Sequence, residues 1–409
     1  MTKFDKISKR LDIFRDDMIN LQIELCSIPA IAPSNGGEGE VKKAEFLLDF
    51  LKQARADDIE VIKAPDLDVP CGYRPNILAI FKGKNPSKTV WIMTHTDIVP
   101  PGEVSLWKGD PYKAWVEGGK IFGRGVEDNH QDMVASLYAV KALKTEKITP
   151  NYNVGIVLVA DEETGSRKGI DYVLRHTKAF NKKDLIIVPD AGNRHGTLIE
   201  VAEKGILWLK FKTLGKQAHG STPHKGINSF KAACFFATEL ETLYQTFKDT
   251  DPLFDPPTST FEPTKKEANV PNINTIPGED VFYMDSRILP KYTIEEVEQQ
   301  IKKIAKRIET KFKVKITWED QQRAPAAPPT SAKAPVVNAL REAIRKVYLK
   351  DAEARGIGGG TVAAIFRRAG YEAAVWSKVD ETAHQPNEFC HIDNMLGDAK
   401  VFAHIFLQE

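Results

Sequence analysis

Residues 89–97 read TVWIMTHTD, residues 154–163 read VGIVLVADEE and residues 185–190 read LIIVPD. Each is a short apolar run that ends in histidine or acid. Runs of this length without polar alternation read as strands buried on both faces, and Asn76–Phe81 adds a fourth. A helical pattern, Glu40–Leu51, precedes them, and helical stretches such as Asp132–Leu143 separate them. That alternation predicts an α/β fold on a mainly parallel sheet. Ligands of such sheets gather outside the carboxyl ends of the strands. There the sequence places His95 and Asp97, then Asp161, Glu162 and Glu163, and finally Asp190. A further acid, Asp128, follows the glycine turn GRGVED at the head of a helical pattern.

From Gly205 the texture changes. ILWLKFKTLG alternates as a half-exposed strand does, NSFKAACFFATELETLYQTF reads as one helix, and TFEPTKK and NTIPGEDVFYMDSRIL as two strands. A second helix, TIEEVEQQIKKIAKRIETKF, and the strand KVKITWED complete the order of a ferredoxin-like α+β domain. The Pro- and Ala-rich stretch 323–335 then leads back to α/β texture. This organisation predicts a catalytic segment over 1–204, an inserted domain over 205–322 and a second catalytic segment over 323–409.

Composition narrows the function. Across 409 residues, 57 Lys and Arg balance 56 Asp and Glu, so no global field favours nucleic acid or anionic lipid. No apolar run approaches the ~18 residues of a membrane span, and the start MTKFDKISKRLDIFRDD interleaves charges where a signal peptide needs an apolar stretch. A cytoplasmic protein is expected. Cys26, Cys71, Cys234 and Cys390 lie far apart, which indicates neither a disulfide framework nor a thiolate zinc site.

Carboxylates crowded at one sheet edge repel one another and raise each other's pKa unless cations neutralise them. Two divalent ions would balance Asp97, Asp128, Glu163 and Asp190 and leave Glu162 as a base. Singly, each residue has an ordinary explanation: a hydrogen-bonded core histidine, a helix cap at Asp128, a solvated acidic turn at Glu162 and Glu163. Independent ordinary explanations on neighbouring strand ends are improbable together, and His95 and Asp97, two apart, share a strand face. The set reads as a metal site.

The motifs THTDIVP, GRGVEDNHQDM, ADEETGS, VPDAG, GKQAHGSTPHKGIN and TAHQPNEF, in this order, resemble blocks of the two-zinc peptidases and deacylases. That family includes acetylornithine deacetylase, succinyl-diaminopimelate desuccinylase, aminoacylase, carboxypeptidase G and related dipeptidases. The resemblance spans nearly the whole chain. It implies a zinc-peptidase-like catalytic domain with an inserted lid and dimerisation domain. His95 and Asp190 would bind one Zn2+, Glu163 and His384 the other, and Asp128 would bridge them, with Co2+ or Mn2+ as substitutes. Asp97 would orient His95, and Glu162 would be the general base. His384, which precedes P-x-E, matches the ligand position, whereas His391 reads as structural. His219 would reach across a homodimer to the oxyanion. Arg287, assisted by Asn274, would grip a substrate carboxylate, which Gly359, Gly360 and Thr361, before a helix, would also cradle. Where many relatives have x-Lys-Gly-Gly after the bridging Asp, this chain has Asn129, His130, Gln131 and Asp132.

The implied chemistry is hydrolysis of the amide bond of an N-acyl amino acid, of the acetylornithine deacetylase or succinyl-diaminopimelate desuccinylase type. A dipeptidase or carboxypeptidase is the alternative within the family, and Asp190, where the deacetylase branches carry Glu, tilts towards it. A metal-dependent binding protein without catalysis is the alternative outside it. Glu162 and His219 argue against that, since neither is needed to hold a metal.

Overall fold

The computed structural model describes residues 1–408. The chain divides into two compact units, one formed by Met1–Val201, Thr330–Arg355 and Thr361 onward, the other by Ala202–Pro329 with Gly356–Gly360.

The first unit is built on an eight-stranded sheet. Its strands lie in the order Asp58–Pro65, Tyr73–Phe81, Tyr152–Val159, Asn85–His95, Leu185–Val188, Ala373–Val375, Leu198–Glu203 and Glu353–Ile357. The four central strands, from Tyr152–Val159 to Ala373–Val375, pair in parallel. On either side the pairing turns antiparallel, so the parallel part is the centre of a mixed sheet. Tyr73–Phe81, read from its apolar run as one of the parallel set, is antiparallel to both neighbours. A buried run fixes burial but not direction. Ile170, Val173, Ala363 and Phe366 from two short helices pack over Trp91, Met93, Val157 and Val159. Helices Gln131–Thr145 and Ile392–Leu407 pack against each other, and the former also contacts the central strands. Gly155 serves this packing directly: a Cβ there would lie 2.0 Å from the Trp91 ring.

The second unit has the ferredoxin-like arrangement. Thr260–Lys266, Glu279–Ile288, Gly205–Leu214 and Lys315–Ala324 form an antiparallel sheet in that order. One face carries Leu207, Leu209, Phe211, Phe282 and Met284. They pack with Phe236 and Leu240 of helix Ser229–Leu240 and with Val297, Ile301 and Ile308 of helix Ile294–Phe312. A capping box between Thr293 and Glu296 starts the longer helix. The stretch read as one helix is two, Ser229–Leu240 and Thr242–Thr246. No helix among the described residues is long and apolar enough to cross a membrane.

Candidate metal centre

The four parallel strands deliver their carboxyl ends to one edge. His95 ends its strand in register with Val159, and Glu162 and Glu163 follow that residue at the third and fourth positions, in the short helical turn Glu162–Thr164. Asp190 lies two residues beyond Leu185–Val188, and the chain beyond Ala373–Val375 carries His384. Asp128 comes from an irregular turn, 126–130, entered through Gly125 at φ 84°. It is not a helix cap: its backbone is extended (φ −112°, ψ 92°), and the helix starts at Gln131. The Asp128–Asn129 peptide is cis.

Asp128 stands at the centre. Its Oδ1 lies 2.9 Å from His95 Nε2, and its Oδ2 lies 3.1 Å from His384 Nε2. His95 Nε2 is also 3.3 Å from Asp190 Oδ1, and His384 Nε2 is 3.1 Å from Glu163 Oε2. Two sets able to hold a cation therefore share Asp128: His95, Asp128 and Asp190, and Asp128, Glu163 and His384. A third set, His95, Glu162 and Glu163, also brings its ligand atoms within 4.8 Å of one another. Two imidazoles and three carboxylates, with no thiolate, form a donor set that fits a pair of divalent ions such as zinc, cobalt or manganese.

Charges here are unbalanced without cations. Burial, then Asp190, Asp128 and Glu163, push the Glu162 carboxyl well above its usual range. Burial likewise raises Glu163. Burial opposes protonation of His95, but hydrogen bonds to Asp128, Asp190 and Asp97 raise its pKa well above the usual value. Asp128 and Glu163 lift His384 to about 10. Asp128 itself is buried, yet the two histidines hold it below the ordinary carboxylate range.

Asp97 meets both His95 and the acidic turn. Its carboxylate accepts from the backbone N–H groups of Glu162 (3.1 Å) and Glu163 (3.0 Å). His95 Nδ1 lies 3.0 Å from its backbone oxygen and 3.6 Å from its carboxylate. Asp97 thus ties the histidine strand to the acidic turn, with both its backbone oxygen and its carboxylate beside the imidazole. Asn129 donates to Pro189 O at 2.6 Å, joining the Asp128 turn to the Asp190 strand. Behind it, the fully buried Lys43 Nζ lies 2.8 Å from His130 Nε2. Burial pushes Lys43 down to about 8 and His130 well below its usual value. Sequence reading singled out neither Asn129 nor Lys43 as part of the site.

His219, Asn274 and Arg287 belong to the second unit. There Ala218–His219 pairs with Thr275–Ile276, which sets His219 beside the chain at Asn274, and Gly220 N donates to Asn274 O. Arg287 donates to both oxygens of Asp285, at 2.7 and 2.9 Å, and to Gly358 O at 2.8 Å. The glycine turn therefore meets Arg287 through a carbonyl. The helix expected directly after Gly359, Gly360 and Thr361 begins only at Ala363 and has 6 residues, and Thr361 Oγ1 donates to Glu200. The three residues thus stand just ahead of this short helix.

With this geometry in place, comparison with known proteins identifies the class. The chain belongs to peptidase family M20/M25/M40, whose profile matches residues 91–408. It is a metallohydrolase acting on amide bonds. An uncharacterised metallohydrolase of Methanococcus maripaludis is 41% identical, covering 95% of this chain and 98% of its own. Succinyl-diaminopimelate desuccinylase of Coxiella burnetii is 25% identical over 91% of this chain and 94% of its own. The fold is shared with human carnosine dipeptidase 1 (TM-score 0.74, 18% identity, 100% and 98% of the two chains). Aminopeptidase PepT from Bacillus cereus shares it too (TM-score 0.75, 17% identity, 96% and 98% covered).

Proposed function

We propose that the protein hydrolyses the amide bond of a small N-acyl amino acid that carries a free carboxylate, as the desuccinylase relative's name implies for that enzyme. The observation that supports this most strongly is the placement of Asp128, with one oxygen facing His95 and the other facing His384. His95, Asp190, Asp128, Glu163 and His384 are assigned as ligands of two divalent ions, zinc in the first instance. When bound, such a pair activates water and polarises a carbonyl at neutral pH. Glu162 takes the proton of the attacking water on a carboxylate oxygen and returns it to the departing amine. Asp97 holds Glu162 and Glu163 in line through their backbone N–H groups. Arg287 is assigned the substrate carboxylate and His219 the oxyanion, in a homodimer formed through the second unit.

A panel of N-acetyl and N-succinyl amino acids and dipeptides, assayed with Zn2+, Co2+ or Mn2+ and again after chelation, tests this reading. Metal-dependent release of the acyl group from at least one N-acyl amino acid is expected. Turnover of dipeptides alone would transfer the assignment to the dipeptidase reading, which Asp190 favours. No metal-dependent turnover of any member would favour a binding protein.

A further inference from the structure

Two buried acids beside the ligands remain without a role: Glu127 is 4% exposed and Glu388 is 1% exposed. Charges so deeply buried persist only with hydrogen-bonding partners. Glu388 Oε1 accepts from the backbone N–H of Glu127 (2.9 Å) and of Asp128 (3.1 Å). Its Oε2 accepts from Arg124 Nη1 (2.6 Å) and from Gly125 N (3.0 Å). Glu127 reaches the opposite way. Its Oε1 accepts from Asp380 N (2.5 Å), and its Oε2 accepts from Thr382 N (2.5 Å), Thr382 Oγ1 (2.8 Å) and Ala383 N (3.0 Å). Each acid therefore sits on the loop that bears one ligand and gathers the backbone of the loop that bears the other. Pairing of Phe389–His391 with Lys120–Phe122 brings the two loops side by side. The loop around His384 needs such support, because Glu381, His384 and Asn387 all have φ near 60°. Non-glycine residues hold that conformation only where their surroundings over-determine it.

We propose that Glu127 and Glu388 are positioning residues, a reciprocal pair of carboxylate clamps that fix the separation of Asp128 and His384 and so set how tightly the cation between them is held. The proposal rests on the reading of Asp128 and His384 as ligands. It carries an asymmetry that a general brace would lack. Glu388 grips the turn of Asp128, which faces both histidines, whereas Glu127 grips only the loop of His384.

Titration of Co2+ into chelator-stripped protein, against a competing chromophoric chelator and by visible absorption, separates these roles. Glutamine keeps the shape of either acid but must turn an NH2 towards N–H donors. Glu127→Gln should weaken one of the two sites by roughly 10- to 100-fold and leave the other within about twofold. Glu388→Gln should weaken both by roughly that factor. Should either variant fail to fold, as judged by circular dichroism, Thr382→Val decides, since it removes the hydroxyl that meets Glu127 and, with it, that hydroxyl's bonds to Phe389. It should weaken the same single site by about threefold or more. Two unchanged affinities in Glu127→Gln or in Thr382→Val, or equal weakening of both sites by Glu127→Gln, would overturn the clamp. His384→Ala is the control. If it binds two ions as tightly as wild type, the ligand reading itself has failed, whatever the clamp variants do.

Discussion

Along Asn85–His95 and Tyr152–Val159 of the first unit, consecutive residues are buried: Val90 to His95 without a break, and Val154 to Val159 likewise. Along Gly205–Leu214 of the second unit burial alternates, with Leu207, Leu209 and Phe211 inside and Trp208, Lys210 and Lys212 towards solvent. A sheet covered on both faces can offer chemistry only at its edge. The first unit does so, and the side chains there are fixed by the strand register beneath them. A sheet covered on one face has a polar face to spare. On Glu279–Ile288, Asp285 and Arg287 occupy that face, two residues apart, with Arg287 held by Asp285 and Gly358. On the proposed assignment the contrast is a division of labour, with bond-making chemistry given to the edge of the first unit and substrate recognition to the open face of the second.

Three variants or conditions would break or sharpen that division. The largest effect is expected at the edge. Glu162→Gln should lower kcat by roughly 10²- to 10⁴-fold while metal content stays at the wild-type level. A kcat within tenfold of wild type would remove Glu162 as the base. On the open face, Arg287→Ala should raise KM by about 10- to 100-fold and leave kcat within a few-fold, the size expected for losing a hydrogen bond to a charged group. Loss in kcat alone would place Arg287 with the edge rather than with recognition.

Smaller, and confined to the edge, is a pH effect on metal stabilisation. In the metal-free protein Glu162 and Glu163 lie above the ordinary 4.5, and His95 and His384 above 6.5, His384 at about 10. Each stabilises the fold while protonated, fully so below its unfolded value, and loses that contribution as pH rises through the raised one. All four therefore act in one direction between pH 5 and pH 9, a window chosen as roughly the span between those values. Asp128, depressed below 3.8, loses its contribution only at lower pH. Cations displace the protons, so the rise in Tm on adding Zn2+ should grow steadily across this window. A rise that is flat or shrinks with pH would show that these groups do not face the metal.

Much of this was legible in the sequence, for physical reasons that also mark where reading stopped. Uninterrupted apolar runs that end in His95, Glu163 and Asp190 announce buried strands and a polar edge, because burial and strand ends are local properties. The antiparallel setting of Tyr73–Phe81 is not local, since a run buried on both faces looks the same in either direction. Asp128 was visible as an acid after a glycine turn, but its extended backbone was not, because GRGVEDNHQDM has the composition of a helix start. Sequence reading gave Glu127 no role. Its partners at Asp380, Thr382 and Ala383 lie more than 250 residues further on, and no spacing rule reaches so far. Lys43 is hidden for a similar reason. A lysine on the helix Val41–Gln53 reads as solvated, and only its burial against His130 says otherwise.

The central claim is that Asp128 sits between two cations, one shared with His95 and Asp190 and the other with Glu163 and His384. Native mass spectrometry of protein reconstituted with Zn2+ and then desalted tests it most directly. The wild-type chain should carry a mass increment of two zinc ions, and His384→Ala an increment of one. A wild-type chain that retains a single ion or none, or a His384→Ala chain that still retains two, would contradict it.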